Sequence, residues 1–190
     1  MNIILIQEIN RFNKLITTLR TSLANIRDAM TGLIVFSFEL EETLNFIRIN
    51  KVPKAWMENS YPSLKPLPAY MEDLAKRVEF FSKWVAEGKP PFFNISRFFF
   101  PQGFLTGIQQ NYARKYGIAI DKLIYDFEVL PKDQEVLEAA EDGANVEGFY
   151  LEGAKFDYDR MSLGESDPKV TLLLISDTVC ARTQDVFQAY

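Results

Sequence analysis

The apolar residues of this protein change period partway along, and that change decides the fold class. At the start they fall at Leu5, Ile9, Phe12, Ile16, Leu19, Leu23, Ile26 and Met30. The steps alternate four and three, which places them in one stripe along one long helix. A free coiled coil is the rival reading, and it lacks the flanking charge pairs such a coil uses. From Lys122 to Leu130 the spacing becomes two. Leu123, Tyr125, Phe127 and Val129 point one way and Asp126 and Glu128 the other, as in a half-buried strand. Helices first and strands after is the order of an α+β protein.

Between these limits the punctuation predicts three more helices. Gly32 breaks the first. Phe36, Leu40, Leu44 and Ile47 form the next face, Ser37 is placed to cap it, and Glu39, Glu41 and Glu42 suit its positive end. Val52-Pro53 ends it, and a short turn buries Trp56. Pro62, Pro66 and Pro68 stiffen a connector. A third helix follows from Tyr70 through Leu74, Val78, Phe81 and Val85 to Gly88, a natural terminating residue. The fourth starts at Pro101 or Gln102, presents Phe104, Leu105, Ile108 and Tyr112, and stops at Gly117. Further strands are expected at Val146–Ala154 and Val170–Ile175, with an acidic loop over 131–145. The expected organisation is a helical part over 1–117, an antiparallel β part over 118–175 and a divergent tail over 176–190.

There are 16 Phe, and aromatics make up 14% of the sequence, so it must bury thick aromatic layers or show an apolar face. Its formal charge of -5 argues against nucleic acid and anionic membrane, which demand basic patches. No apolar run reaches the roughly 20 residues that span a bilayer, and Met1–Ile6 lacks the basic flank of a signal peptide. The single Cys180 permits no internal disulfide, which fits a reducing compartment. There is no histidine, which removes Ser-His-Asp and Cys-His catalysis and most zinc sites.

Other catalytic patterns fare no better. Gly88-Lys89 is followed by Pro90, so no phosphate-cradling P-loop exists, and G-x-G-x-x-G is absent. Leu172–Asp177 looks like a strand ending in a metal-binding acid, but without a P-loop it reads as a buried strand meeting a turn. Asp126 with Glu128, or Asp157 with Asp159, could form acid–base pairs, although alternating charges on a strand usually mark a solvated face. Gly103 and Gly107 in a helix suggest close packing. Phe98, Phe99, Phe100, Pro101 and Phe104, with Trp56 and Trp84, are the candidate packing or docking residues. Three adjacent phenylalanines cannot all face one way, so core and docking surface both remain open for them.

The segment Phe98-Phe-Phe-Pro-Gln-Gly-Phe-Leu-Thr-Gly107, continued by Gln110-Asn111 and Ala113-Arg-Lys115, resembles the C-terminal domain of dynein heavy chains, above all that of axonemal dyneins. So do Gln7-Glu8 with Arg11-Phe-Asn13, Gly32-Leu-Ile-Val35 with Leu40-Glu-Glu42, Val52-Pro53 with Trp56, and Tyr61-Pro-Ser-Leu-Lys-Pro-Leu67. Phe127-Glu-Val-Leu130, Glu141-Asp-Gly143 and Leu151-Glu-Gly-Ala154 extend the resemblance, which runs from about residue 5 to about residue 170. Arg97 stands where that family usually has Gly, and Phe156 where Trp is common. After about Val170 the family's last strands are not recognisable, which suggests a truncated barrel with an exposed strand edge.

The resemblance implies helices followed by an incomplete antiparallel β-barrel, packed on the AAA+ ring of the same heavy chain. It implies no catalytic site and no cofactor in this polypeptide. ATP and Mg belong to AAA+ modules elsewhere in the parent motor, where they drive minus-end-directed movement on microtubules. Microtubules and other dynein subunits are reached only through the full motor, with no nucleic acid and no membrane as partners. The expected location is cytoplasmic, on the cytoskeleton of a ciliary or flagellar axoneme. The alternative is a free-standing interaction module derived from such a domain. A carboxylate-based hydrolase is the enzymatic rival.

Overall fold

A computed structural model describes residues 2–129, 140, 142–151, 154–157, 162–165, 173–175 and 179–185. The protein divides into two compact units, Asn2–Lys83 and Trp84–Tyr190.

The first unit is helical. Helix α1 spans Asn2–Met30, α2 Phe38–Arg48, the single turn α3 Lys54–Met57, and α4 Leu67–Glu87, whose last residues from Trp84 belong to the second unit. Helix α1 contacts α2 and α3. Its buried face is Glu8, Phe12, Leu15, Leu19, Ile26 and Ala29, while Leu23 and Met30 are exposed. The alternating three-and-four spacing is as predicted, but half of the stripe lies one residue earlier. The buried column uses 8, 15 and 29 where the apolar pattern gives 9, 16 and 30. The cause is Ser22, which replaces Leu23 in that column. Its hydroxyl donates to the Leu19 carbonyl and accepts from Trp56 Nε1 at 2.7 Å, which seats the indole on a small residue. Glu8, buried on this face, pairs with Arg11 at 3.3 Å.

Ser37 caps α2 as expected, its Oγ accepting from the Leu40 N–H at 3.3 Å. Of the predicted apolar face of α2, Leu40, Leu44 and Ile47 are half-buried, and Phe36 departs because it lies before the helix. Thr43 is its buried residue, and Phe36 and Phe38 are exposed. The turn at Lys54–Met57 buries Trp56 to 2% exposure, as predicted. Tyr70, Leu74 and Phe81 fill the inner face of α4, but Val85 lies outside it and Trp84 inside. Phe12 packs on Phe81 with ring centroids 5.3 Å apart, and Tyr61 stacks on Tyr70 at 5.6 Å.

Asp73 on α4 receives Lys65 Nζ and Arg77 Nε, each at 2.7 Å, and the Arg77 guanidinium lies 3.8 Å above the Tyr61 ring. Burial alone pushes the Asp73 carboxyl up, but the Lys65 and Arg77 hydrogen bonds outweigh it and hold the group at about 2, below its ordinary 3.8. A depressed carboxylate stabilises the fold above its unfolded pKa. That contribution is complete above about pH 5 and fades as pH falls through 2. Asp73→Asn should therefore cost on the order of 1 kcal/mol at pH 7, after allowance for solvent screening, and progressively less towards pH 2. Urea midpoints measured across that range check this. A gap from the native protein as wide at pH 2 as at pH 7 would contradict it.

The second unit combines helix and sheet. Strand β1 is Phe92–Asn94, helix α5 Pro101–Tyr116, β2 Leu123–Val129, β3 Gly143–Glu147, β4 Phe149–Leu151, β5 Ala154–Asp157, β6 Ser162–Glu165, β7 Leu173–Ile175 and β8 Val179–Asp185. The α+β class is thus as read from the sequence. Pro101 opens α5, and Gly117 closes it with φ 67°, in the left-handed region where a Cβ would be strained. The order β1-β3-β8-β2 forms a four-stranded sheet, while β4 pairs with β7 and β5 with β6.

Three expectations change here. Strand β1 is additional to those expected, and it pairs parallel with β3 through Phe93↔Val146, so the sheet is mixed. The strand expected at Val146–Ala154 starts earlier and breaks at Gly148, whose φ is +77° and whose absent Cβ would meet Asn94 Oδ1 at 3.3 Å. The tail over 176–190, where no strand is expected, supplies β8. That strand lies in the sheet interior, antiparallel to β2 through Phe127↔Ala181 and to β3 through Ala144↔Ala181. Residues 170–172, Asp159, Gly153 and Asp177 fall outside the described residues, so the expectations placed on them stay as expectations.

Candidate docking surface

The phenylalanine triplet is split by geometry. Residues 95–97 make a single tight turn, and the triplet links it to α5. Phe98 is 2% exposed and packs against Trp84 at 6.3 Å and Phe104 at 4.6 Å. Phe104, fully buried on α5, also meets Phe93 at 4.8 Å, and Phe93 meets Trp84 edge-on at 5.1 Å. These four rings form the aromatic centre of the second unit. Phe99 and Pro101 are half-buried, and Phe100 is 49% exposed. Trp56 is core in the first unit. Of the seven candidate residues, Phe100 alone is largely open to solvent. Gly103 explains how its ring lies. A Cβ there would stand 2.5 Å from Phe100 Cδ1, so the glycine admits this ring rather than a second helix.

A longer exposed apolar run lies elsewhere among the described residues. After α1 the backbone runs Gly32-Leu-Ile-Val-Phe-Ser-Phe38 without one charge. Leu33 is 76% exposed, Val35 88% and Phe38 81%, against 42% for Ile34 and 39% for Phe36. Met30, at the end of α1, is exposed beside them in sequence. A soluble protein seldom leaves so many large apolar side chains together in water, and such runs mark surfaces meant to be covered. The helical period hides this, because it assigns Phe36 to the α2 face. The signal available in the sequence is the absence of any charge between Asp28 and Glu39.

Two concavities add little chemistry. One, of about 180 Å³, is lined by Lys89, Ile108, Asn111, Tyr112, Lys115 and Asp142. There Lys115 and the Tyr116 hydroxyl both donate to Asp142, at 2.7 and 2.6 Å, and hold its carboxyl below the usual range. The other, about 490 Å³, is a mainly apolar groove bordered by Phe46, Ile49, Val52, Met57 and Leu64. Neither brings a nucleophile to a base. Asp126, Glu128 and Asp157 are placed on strands by their backbone, and their side chains lie outside the description. Among the described residues no three His, Cys, Asp or Glu side chains gather to hold a metal, and no helix is long and apolar enough to cross a membrane.

A helical unit and a mixed-sheet unit, each with an aromatic core, and an uncharged apolar run left in solvent make up this small α+β protein. The family model for the C-terminal domain of dynein heavy chains matches residues 1–177, and the protein belongs to that family. It is 48% identical over 170 residues to dynein axonemal heavy chain 3 of Homo sapiens, covering 90% of this sequence and 4% of that protein. It is 46% identical over 170 residues to dynein axonemal heavy chain 12 of Rattus norvegicus, covering 90% of this sequence and 6% of the relative. Identity to dynein axonemal heavy chain 1 of Mus musculus is 45% over 170 residues, covering 89% and 4%. The 190 residues therefore span only a small fraction of the length of these curated relatives.

Proposed function

We propose that this polypeptide serves as the non-catalytic C-terminal region of an axonemal dynein heavy chain. In this reading it packs on the AAA+ ring of its own heavy chain and modulates ATP-driven, minus-end-directed movement along microtubules in a cilium or flagellum. ATP and Mg act in the ring modules, and this region holds neither. Its strands, with β3 and β8 at the centre of the sheet, form part of an incomplete, mainly antiparallel barrel. Microtubules and other subunits are engaged through the complete motor.

The observation that carries the reading is the uncharged run at Leu33–Phe38, whose exposure is costly in water and removed by docking. At about 25 cal/mol per Å², each large apolar side chain covered adds roughly 1.5–3 kcal/mol. The test uses a chimaera in which this polypeptide replaces the matching residues of human dynein axonemal heavy chain 3. Leu33→Ser, Val35→Ser and Phe38→Ser together should leave the isolated protein as stable as before and change the chimaera's microtubule-stimulated ATPase severalfold. Unchanged motor output would remove the proposal, as would tight ATP binding by the isolated protein.

A further inference from the structure

The apolar groove of about 490 Å³ at the end of α2 is framed by fixed backbone. Asn50 takes the left-handed conformation, φ 57°, and closes the helix. Its N–H donates to the Ile47 carbonyl at 3.1 Å, and the Lys51 N–H donates to the Phe46 carbonyl at 2.9 Å. The Asn50 carbonyl accepts from the Leu67 N–H at 2.9 Å, which ties the connector to the helix end. Pro62 and Pro66 stiffen that connector. Of the apolar residues on the lining, Val52 is buried, while Ile49, Met57 and Leu64 are half or more exposed. Both charged residues on the lining, Lys51 and Lys65, are basic. Four of the five charged residues between Asn45 and Pro66 are basic, in a protein of formal charge -5. Lys54 and Lys65 pair with Glu42 and Asp73, whereas Arg48 and Lys51 have no carboxylate partner among the described residues. An apolar slot edged by cations selects an occupant that combines apolar side chains with negative charge.

We infer that this groove docks a short acidic peptide segment of a partner, which sets large apolar side chains against Ile49, Met57 and Leu64 and a carboxylate near Lys51. The site is separate from the apolar run at Leu33–Phe38. That run leads into the start of α2 and the groove lies at its end, and the 11 residues between span about 16 Å. The groove has the volume of a small-ligand pocket, so it takes a few side chains rather than the face of a domain. A peptide suits it better than a membrane or a nucleic acid. The overall negative charge repels an extended polyanion, while a short acidic segment meets the local lysines within a Debye length of about 8 Å. The contact falls below the roughly 1,200 Å² of a stable complex, so the partner exchanges readily.

Fluorescence anisotropy of labelled synthetic peptides tests this on the 190-residue protein. The probe carries two leucines flanked by glutamates. In one control serines replace the leucines, and in another lysines replace the glutamates. The probe alone should bind, and less tightly as salt is raised. Leu64→Ser should weaken it about tenfold or more, and Lys51→Glu about threefold or more. Both residues are exposed, so both variants should melt as the native protein does. Leu33→Ser with Val35→Ser should leave binding unchanged. Binding that survives Leu64→Ser and Lys51→Glu would overturn the inference. So would its loss on Leu33→Ser with Val35→Ser, which would place the peptide on the other apolar run. Equal binding of the lysine peptide would mean unselective apolar contact and would also overturn it. Sedimentation with phosphatidylserine vesicles that Lys51→Glu abolishes would make the ligand a lipid surface instead. No binding of the probe up to about 1 mM would leave the groove without its occupant and end the proposal.

Discussion

Phe104→Ala should lower the stability of the second unit by about 3–5 kcal/mol, among the largest effects of any single substitution in this protein. The ring is fully buried and lies within 5 Å, centroid to centroid, of both Phe93 and Phe98. Its removal leaves a cavity whose walls are themselves rings, and rings cannot flex inwards as aliphatic side chains do. Phe93 is held by the β1–β3 pairing and Phe98 by the turn before it, so neither can shift to close the space. Chemical denaturation followed by tryptophan fluorescence measures the loss, because Trp84 sits on Phe93 and Phe98. A loss near ~1 kcal/mol would mean the cluster collapses around the gap and is far softer than this geometry implies.

Trp56→Ala should cost the first unit a similar amount, about 3–5 kcal/mol, for two separable reasons. The indole is 2% exposed, so its area is lost to a cavity. Its Nε1 also donates to Ser22 Oγ at 2.7 Å, and Ser22 in turn donates to the Leu19 carbonyl. Trp56→Phe keeps most of the area and removes the donor, and should cost distinctly less than Trp56→Ala. Ser22→Ala keeps the indole and strands its N–H, at about 1–3 kcal/mol. Thermal melts of the three variants order the contributions. Equal losses for Trp56→Phe and Trp56→Ala would show that the hydrogen bond, not the packing, holds the turn.

The helices are legible in the sequence because their signals are local. Ser37 before an acidic turn, Pro101 at a first turn, and Gly88 and Gly117 after last turns each act through their own backbone geometry. The rotation of α1 is not legible, because an apolar stripe marks which residues prefer burial, not which column a partner selects. Trp56 selects the column of Ser22, which lies 34 positions away in sequence. Strand β1 is hidden because Phe92–Asn94 is three residues long, and its partner β3 lies beyond α5 and β2. At the candidate surface, composition finds the abundance of phenylalanine but not its direction. Phe98 and Phe104 are core and Phe100 is exposed. The apolar run at Leu33–Phe38 escapes a periodicity reading because periodicity rewards residues that fit a helix, and these belong to none until Phe38.

The position of β8 carries a consequence for synthesis. Its residues, 179–185, are made after those of both strands it separates, β2 and β3. While the ribosome is still adding residues up to 185, β2 and β3 have no neighbour at that side, although their own sequences are complete. The helices α1 to α4 emerge before any of the sheet's strands and can form as they emerge. The sheet must wait for its central strand, and meanwhile two bare edges are open to pairing with other nascent polypeptides. A chaperone that shields strand edges would therefore be most needed late in translation, and a stop codon anywhere before 179 would leave that exposure permanent.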